Sequence, residues 1–275
     1  MENAISALEV RLSATGAAPR KVNEIHILMI IALELAVMDP EAPLFRRFMA
    51  GVTLVKIFAA LRFDDTRGVS PQSFIWLKRG LQFDIARSKV SGPGKKTKLL
   101  RGHVSFGASL SGRNWLLEWR GVIEADEFNF ERDYLIPGVA CGGAVIDRRP
   151  AEYADAVIYS AVLFHGLLRP QQDPSDGSWS PSEEHLLVDG LYRAFGQHSE
   201  RNKLNRIAAA FGHEKSERNY LGRWHADGSD NYLATAMSAV FRIQEDCCRR
   251  LLIAPDSYDE TESGSGLEII LAARA

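Results

Sequence analysis

Four kinds of side chain that could act on a phosphate lie within 35 positions near the C-terminus. His198 and Arg201 stand three residues apart at the head of an apolar helical pattern, so we expect them to share one helix face. Arg223 and Trp224 follow on a second short element, and Tyr232 opens another long apolar-periodic segment. An imidazole, a cation, an indole and a phenol in this order could converge on one phosphate group.

Attack on a phosphodiester is slow because its negative charge repels nucleophiles and its alkoxide leaves poorly. Two arginines can neutralise the non-bridging oxygens by bidentate contacts and stabilise the charge that develops in the transition state. A phenol has a pKa of about 10, so the oxygen of Tyr232 needs such cations, with help from His198, to become reactive. The product is a covalent phosphotyrosyl link, and this chemistry requires neither a metal nor a cofactor.

Two further segments lie upstream: LRFDD contains Arg62, and RSKVSGPGKK contains Lys89. Together with HSERN, LGRW and GSDNY they resemble, in this order, the catalytic region of the tyrosine recombinases, the phage-integrase family of DNA strand-transfer enzymes. The segments look more like the atypical versions from eukaryotic mobile elements than like bacterial integrases. The resemblance covers roughly positions 40 to 250.

The resemblance implies a role for each matching residue. Arg62 would contact the scissile phosphate, and Asp65, three residues later, would help to hold that arginine. Lys89 would lie on a mobile hairpin and protonate the leaving oxygen. The remaining catalytic residues would be the phosphate-binding Arg201, the assisting His198 and Trp224, and the nucleophile Tyr232.

In the upstream segments the residue types leave alternatives open. A cation after an apolar helix, as at Arg62, also compensates the helix dipole. Lys95 and Lys96 compete with Lys89 for the role of general acid, although lysines in turns are usually just solvated. GPGKKT is not a phosphate-binding loop, because the four-residue gap between its glycines is missing.

The downstream segments also have alternative readings. His198 could cap a helix, and Trp224 could belong to the core, as most tryptophans largely do. Arg223 could take the phosphate contact in place of its neighbour, which makes it a supporting site residue. Tyr220 competes with Tyr232 as the nucleophile, but it precedes the LGRW segment and is expected to pack. Trp224 and Tyr232 lie eight positions apart, about one short of the usual family spacing.

The charge is unevenly distributed along the 275 residues, whose formal net charge is −2. Residues 255–275 hold five acidic residues against one arginine, which leaves 32 Lys and Arg against 30 Asp and Glu in residues 1–254. Between Arg87 and Arg120 there are eight basic residues and only one acidic residue, Glu118. This is a local basic patch that could hold nucleic acid or simply be solvated. The predicted DNA-binding residues in it are Lys95, Lys96, Lys98 and Arg101.

Composition restricts the class of protein. No apolar run approaches 18 residues, so no membrane partner is expected, and the acidic N-terminus does not resemble a secretory signal. Cys141, Cys247 and Cys248 form neither a disulfide framework nor a metal site, which is typical of a reducing compartment. We therefore expect an intracellular protein, in the nucleus of a eukaryote or in the cytoplasm or nucleoid of a prokaryote.

The predicted fold class is α+β: a mainly helical catalytic domain with one small antiparallel sheet, similar to integrases. The strands are expected within FIWL, GLQFDIARS and LLRGHVSF. The stretch around Pro137 and the stretch 171–181 are predicted to be loops, and a helix is expected to start with Glu183 and Glu184 in its first turn. The other predicted helices cover 2–14, 21–38, 44–61, 112–125, 151–168 and 229–252.

Three regions are predicted along the chain. Residues 1–40 would be N-terminal helices that pack on or precede the core, 41–254 the catalytic domain, and 255–275 an acidic flexible tail with an apolar end. Integrase relatives usually have a separate helical DNA clamp before this point, and forty residues cannot supply one. We therefore expect no complete N-terminal clamp domain, either because the chain is a fragment or because it never had one.

The leading hypothesis is DNA recombination or integration, as in a mobile element, by strand breakage and rejoining through Tyr232. Its partners would be double-stranded DNA and further copies of the chain, as a dimer or tetramer on the DNA. The alternative is a DNA-binding relative that kept the fold without turnover. A third class, an interaction domain unrelated to DNA, predicts no salt-dependent retention of DNA.

Overall fold

The computed structural model describes residues 24–87, 99–140, 145–197, 199–222, 230–254, 257–258 and 260. Within these ranges the chain is mainly helical with small antiparallel sheets, which confirms the predicted α+β class. None of the helices there is both long and apolar enough to cross a membrane. The helices are α1 (Ile27–Met38), α2 (Leu44–Phe58), α3 (Phe63–Thr66), α4 (Trp115–Ile123), α5 (Tyr153–His165), α6 (Lys203–Ala210), α7 (Lys215–Gly222) and α8 (Asp230–Ile253). The strands are β1 (Ile75–Leu77), β2 (Gly80–Ile85), β3 (Leu100–Ser105), β4 (Pro137–Ala140), β5 (Val145–Pro150), β6 (Leu168–Gln172) and β7 (Trp179–His185).

Helix α1 lies at the centre of the core, and all its residues from Met29 to Met38 are buried. A helix that is apolar around its whole circumference has to be covered on every side, and α2, α4 and the β6–β7 hairpin pack against it. Gly51 lets α2 and α4 approach closely, because a Cβ atom there would lie 1.9 Å from the indole of Trp119. The Nε1 atom of Trp119 donates to Phe48 O at 3.1 Å, so the buried indole is satisfied.

The buried carboxylate of Glu34 ties α1 to the loop that precedes α4. It accepts hydrogen bonds from Leu110 N at 2.9 Å, Ser111 N at 2.8 Å and Ser109 Oγ at 2.9 Å. Burial raises the pKa of Glu34 to about 7, and the hydrogen bonds oppose that rise only in part. Because the pKa of Glu34 is higher in the folded than in the unfolded chain, this group makes the free energy of unfolding depend on pH.

We expect Glu34 to make the protein less stable as the pH rises from about 4.5 to about 7. Below that window the carboxyl is protonated in both the folded and the unfolded chain, so the stability that it contributes is fully present. Within the window the unfolded chain loses the proton first, and the free energy of unfolding should fall by about 3 kcal/mol. Urea unfolding across this pH range measures the fall, and Glu34→Gln should flatten it. A pH profile that is the same in both proteins would contradict the prediction.

The predicted three-stranded meander is present. Its strand order is β1-β2-β3 with both pairs antiparallel. In the second pair Leu81 lies opposite Val104, and both side chains are buried in the core. The predicted turn between β2 and β3 lies outside the described residues.

Two antiparallel hairpins occupy stretches that the sequence predicts to be loops or helix, and those predictions are wrong. One hairpin pairs β4 with β5, and Pro137 lies in its first strand, β4. The other joins β6 to β7, with Gln172 opposite Trp179. Strand β7 runs through Glu183 and Glu184, so these residues belong to a strand and not to the first turn of a helix.

The residues of the turn between β6 and β7 explain why a hairpin forms where the sequence predicts a loop at 171–181. Asp173 Oδ1 accepts from Ser175 N at 2.8 Å, and Asp173 O accepts from Gly177 N at 2.8 Å. Gly177 has a φ of 72°, which glycine adopts readily. These are the residue types that close turns, so the segment DPSDGSW indicates a hairpin once its turn chemistry is taken into account.

Near the C-terminus, Tyr258 and Glu260 pack against the body of the protein although they fall within the predicted tail. Glu260 Oε1 accepts from Ile27 N at 3.0 Å, and its Oε2 lies 2.6 Å from His26 Nε2. The same carboxylate forms an ion pair with the ammonium of Lys203, whose side chain is fully buried. At these two positions the chain is therefore part of the packed structure.

Candidate active site

Arg62 is the N-cap residue of the short helix α3 and follows the tight turn after α2. Leu61 N donates to Lys56 O at 2.9 Å, and Ala60 between them has a positive φ of 48°. Asp65 Oδ2 accepts from Arg62 N at 2.8 Å. Arg62 is half-buried and Asp65 is buried. Arg62 therefore lies at the N-terminus of α3 and not in the last turn of the preceding helix.

Arg201 lies in the turn that leads into α6. The sequence predicts that His198 and Arg201 share a helix face, which is wrong for Arg201 because α6 begins only at Lys203. The turn is held locally by Ser199 Oγ, which accepts from Gly196 N at 3.0 Å. Arg201 is only 9% exposed, so its charge has to be compensated inside the protein or by a bound anion.

Arg62 lies near enough to Arg201 for its charge to affect the pKa of Arg201, although the residues are 139 positions apart in the sequence. Burial lowers the pKa of Arg201, the positive charge of Arg62 lowers it further, and the carboxylate of Asp65 opposes both effects. The Nη1 atom of Arg201 is buried and has no hydrogen-bond partner among the described residues. Together, two cations and one carboxylate carry a net positive charge, which favours an anion that offers several acceptor oxygens.

Helix α8 carries Tyr232 in its first turn, in agreement with the predicted helix that starts near this residue. The helix is fixed by the buried side chain of Gln244. Its Nε2 donates to Phe58 O and to His103 O, each at 2.9 Å, and its Oε1 accepts from Ser105 N at 2.7 Å. Because Phe58 is the last residue of α2, Gln244 holds the helix of Tyr232 against the helix that precedes α3.

Several predicted site residues lie outside the described residues, and their roles stay predictions. Arg101 is described: it lies on β3, partly exposed, with its Nε 3.8 Å from Asp84 Oδ1. In the described part of the chain, no group of three His, Cys, Asp or Glu side chains could hold a metal ion. The residues outside are Lys89, Lys95, Lys96, Lys98, His198, Arg223 and Trp224, and the side chain of Tyr232 is likewise not described.

Comparison with known proteins finds no matching family and no matching curated protein. Among solved structures, a Flpe–Holliday junction complex aligns with 86% of this chain and 54% of its own, at 11% identity and a TM-score of 0.33. A complex of a Flpe mutant with a DNA Holliday junction aligns over 86% and 58%, at 10% identity and a TM-score of 0.34. FLP recombinase–Holliday junction complex I aligns with 86% of this chain and 53% of its own, at 11% identity and a TM-score of 0.30. The chain thus spans about half the length of these structures, and similarity at this level carries no functional argument.

The sequence did not reveal a buried polar network beside the two arginines. Lys56 Nζ lies 2.5 Å from Glu200 Oε2 and 2.6 Å from Gln197 Oε1. Gln197 Nε2 in turn donates to Ser160 Oγ at 2.7 Å and to Ala156 O at 3.0 Å. The available signal was a lysine inside the apolar run VTLVKIFAAL, because a charge in such a run has to be buried and paired.

The arrangement as a whole is suited to holding a phosphodiester. Arg62 and Arg201 can donate from two guanidinium groups, each with a fork geometry that matches phosphate oxygens. Asp65 is close enough to affect the pKa of Arg201, so one carboxylate offsets part of the combined charge. Two such groups can bind an oxyanion and stabilise additional negative charge on it.

Proposed function

We propose that this chain cleaves and rejoins double-stranded DNA through a covalent phosphotyrosyl intermediate at Tyr232. The observation that carries the proposal is that Arg62 and Asp65 lie near enough to the buried Arg201 for their charges to affect its pKa. The buried Nη1 of Arg201, which lacks a hydrogen-bond partner within the described residues, supports a bound phosphate as the missing acceptor.

In the proposed reaction, Arg62 and Arg201 bind the non-bridging oxygens of the scissile phosphate. The phenolic oxygen of Tyr232 attacks phosphorus and passes its proton to His198, and the bond from phosphorus to the departing sugar oxygen breaks. Lys89 gives that oxygen a proton, and His198, with Trp224 or Arg223, completes the contacts to phosphate. The phosphotyrosyl bond conserves the energy of the diester, so a sugar hydroxyl can reverse the step and rejoin the strand without ATP.

The wider setting is also part of the proposal. Strand exchange between two duplexes requires several active sites, so the chain would act as a dimer or tetramer on DNA, in recombination or integration of a mobile element. The protein would then reside in the nucleus or nucleoid. The DNA backbone would lie along the basic segment, which offers Lys95, Lys96, Lys98 and Arg101 as counter-charges.

Arg201→Ala is expected to lower the rate of covalent adduct formation by about 10²- to 10³-fold, as removal of one transition-state donor does elsewhere. The substrate is a pool of random-sequence duplexes that carry nicks, so that cleaved ends diffuse away and the adduct accumulates. Adducts are counted on denaturing gels. Arg201→Lys keeps the charge but not the bidentate geometry, so an intermediate rate is expected.

Arg206→Ala is the matched control for Arg201. Arg206 lies on α6 only five positions later, is partly exposed and forms an ion pair with Glu24. We expect its replacement to change the adduct rate by less than about threefold. Equal losses in both variants would contradict a specific role for Arg201. Salt-sensitive DNA binding without any adduct in the unaltered protein would instead favour the DNA-binding relative without turnover.

A further inference from the structure

The polar network around Lys56 connects the two segments that carry the arginines. Lys56 lies in the last turn of α2, six residues before Arg62, and Leu61 N donates to Lys56 O, so the path between them is fixed. Glu200 is the residue immediately before Arg201. The contact between Lys56 and Glu200 therefore joins the segment that carries Arg62 to the turn that carries Arg201.

This ion pair is buried: the side chains of Lys56 and Glu200 are 2% and 0% exposed. Burial raises the pKa of Glu200, and the charge and hydrogen bond of Lys56 oppose that rise. A buried pair pays a large desolvation penalty, and apolar residues of similar volume often give equal or greater stability. Stability alone therefore gives little reason for two buried charges at this place.

Geometry gives a better reason. The turn that bears Arg201 is not part of a helix or strand, so side-chain contacts have to fix its position. Gln197 accepts from Lys56 and donates to Ala156 O and Ser160 Oγ on α5, while Glu200 meets Lys56 on α2. The turn is thus fixed against two helices at once, with directional contacts that apolar packing does not provide.

We propose that Lys56 and Glu200 are positioning residues that hold Arg201 at the correct distance from Arg62, so that both guanidinium groups engage one phosphate. This rests on the proposed function. A displacement of about 1 Å at a catalytic site can cost about 100-fold in rate. The pair would therefore affect the chemical step strongly and the overall affinity for DNA only slightly.

The test is the double variant Lys56→Met/Glu200→Leu, which removes both charges and keeps a similar volume. We expect it to melt within a few degrees of the unaltered protein, to bind the duplex pool within about threefold, and to form adduct about 10- to 100-fold more slowly. Arg169→Met/Glu184→Gln, which removes an exposed ion pair on the β6–β7 hairpin, is the control and should leave all three properties unchanged.

A folded double variant that forms adduct at the unaltered rate would overturn the inference. Should that variant fail to fold, Ser160→Ala decides: it removes only the hydroxyl that accepts from Gln197 Nε2. We expect a rate loss of roughly threefold with unchanged DNA affinity, and no loss would also overturn the inference. Arg201→Ala in the same assay separates the two proposals. Unchanged adduct formation in that variant rejects the proposed role of Arg201, whereas a loss there but not in the double variant rejects only the positioning role.

Discussion

Replacing Tyr232 with Phe is expected to abolish the covalent protein–DNA adduct completely. The change removes only the phenolic oxygen, which is the atom proposed to bond to phosphorus, and it leaves the aromatic ring in place. Tyr232 lies in the first turn of α8, and Gln244 fixes that helix from within the core. We therefore expect the fold and the affinity for DNA to be retained, with affinity within about twofold. Gel analysis of the adduct and titration with the duplex pool measure the two properties separately.

Tyr220→Phe is the matched control, because it makes the same chemical change twelve positions earlier. Tyr220 lies on α7 and packs, half-buried, against the core. Its replacement should leave adduct formation intact. If the adduct persists in Tyr232→Phe and disappears in Tyr220→Phe, the assignment of the nucleophile is wrong, while the proposed chemistry survives. If the adduct persists in both, neither tyrosine is the attacking group.

Replacing Glu260 with Ala is expected to lower the free energy of unfolding by about 3 to 5 kcal/mol. Lys203 is fully buried, and its ammonium pairs with Glu260 and lies 5.0 Å from the centre of the Tyr258 ring. Burial lowers the pKa of Lys203, and the charge of Glu260 opposes that effect. Without the carboxylate a buried charge loses its partner, and Ile27 N loses its acceptor. Urea denaturation measures the change.

The control for this variant is Glu184→Ala, which removes an exposed carboxylate 3.7 Å from Arg169 on the β6–β7 hairpin. Its effect should stay below about 0.5 kcal/mol. Adding Lys203→Met to Glu260→Ala should recover much of the lost stability, because the unmatched charge is then gone. If Glu184→Ala and Glu260→Ala lose equal stability, or if Lys203→Met does not restore stability to Glu260→Ala, the ion pair is not the cause of the loss.

Local patterns in the sequence were enough to predict the regular elements at the centre of the protein. The apolar run that ends at Asp39 predicts the end of α1 correctly, but the helix begins at Ile27 and not at residue 21. The apolar run after Pro43 predicts α2 to within three residues. Alternation and turn residues predict the meander β1-β2-β3, and the periodicity after residue 229 predicts the long helix of Tyr232. These predictions succeed because they depend only on near neighbours in the chain, through helix and strand periodicity and the residues at element ends.

Contacts between distant segments decided the rest. His-x-x-Arg at the head of an apolar pattern indicates a helix, yet the bonds of Gln197 and Glu200 to α2 and α5 hold Arg201 in a turn. The acidic composition around Glu260 predicts a flexible tail, yet a buried lysine 57 positions away pairs with that carboxylate. Composition and spacing determined which residue types could act on a phosphate. Only the tertiary structure decided that Arg62 comes near enough to Arg201 to affect its pKa, because the partners of a buried charge such as Arg201 cannot be identified from the local sequence.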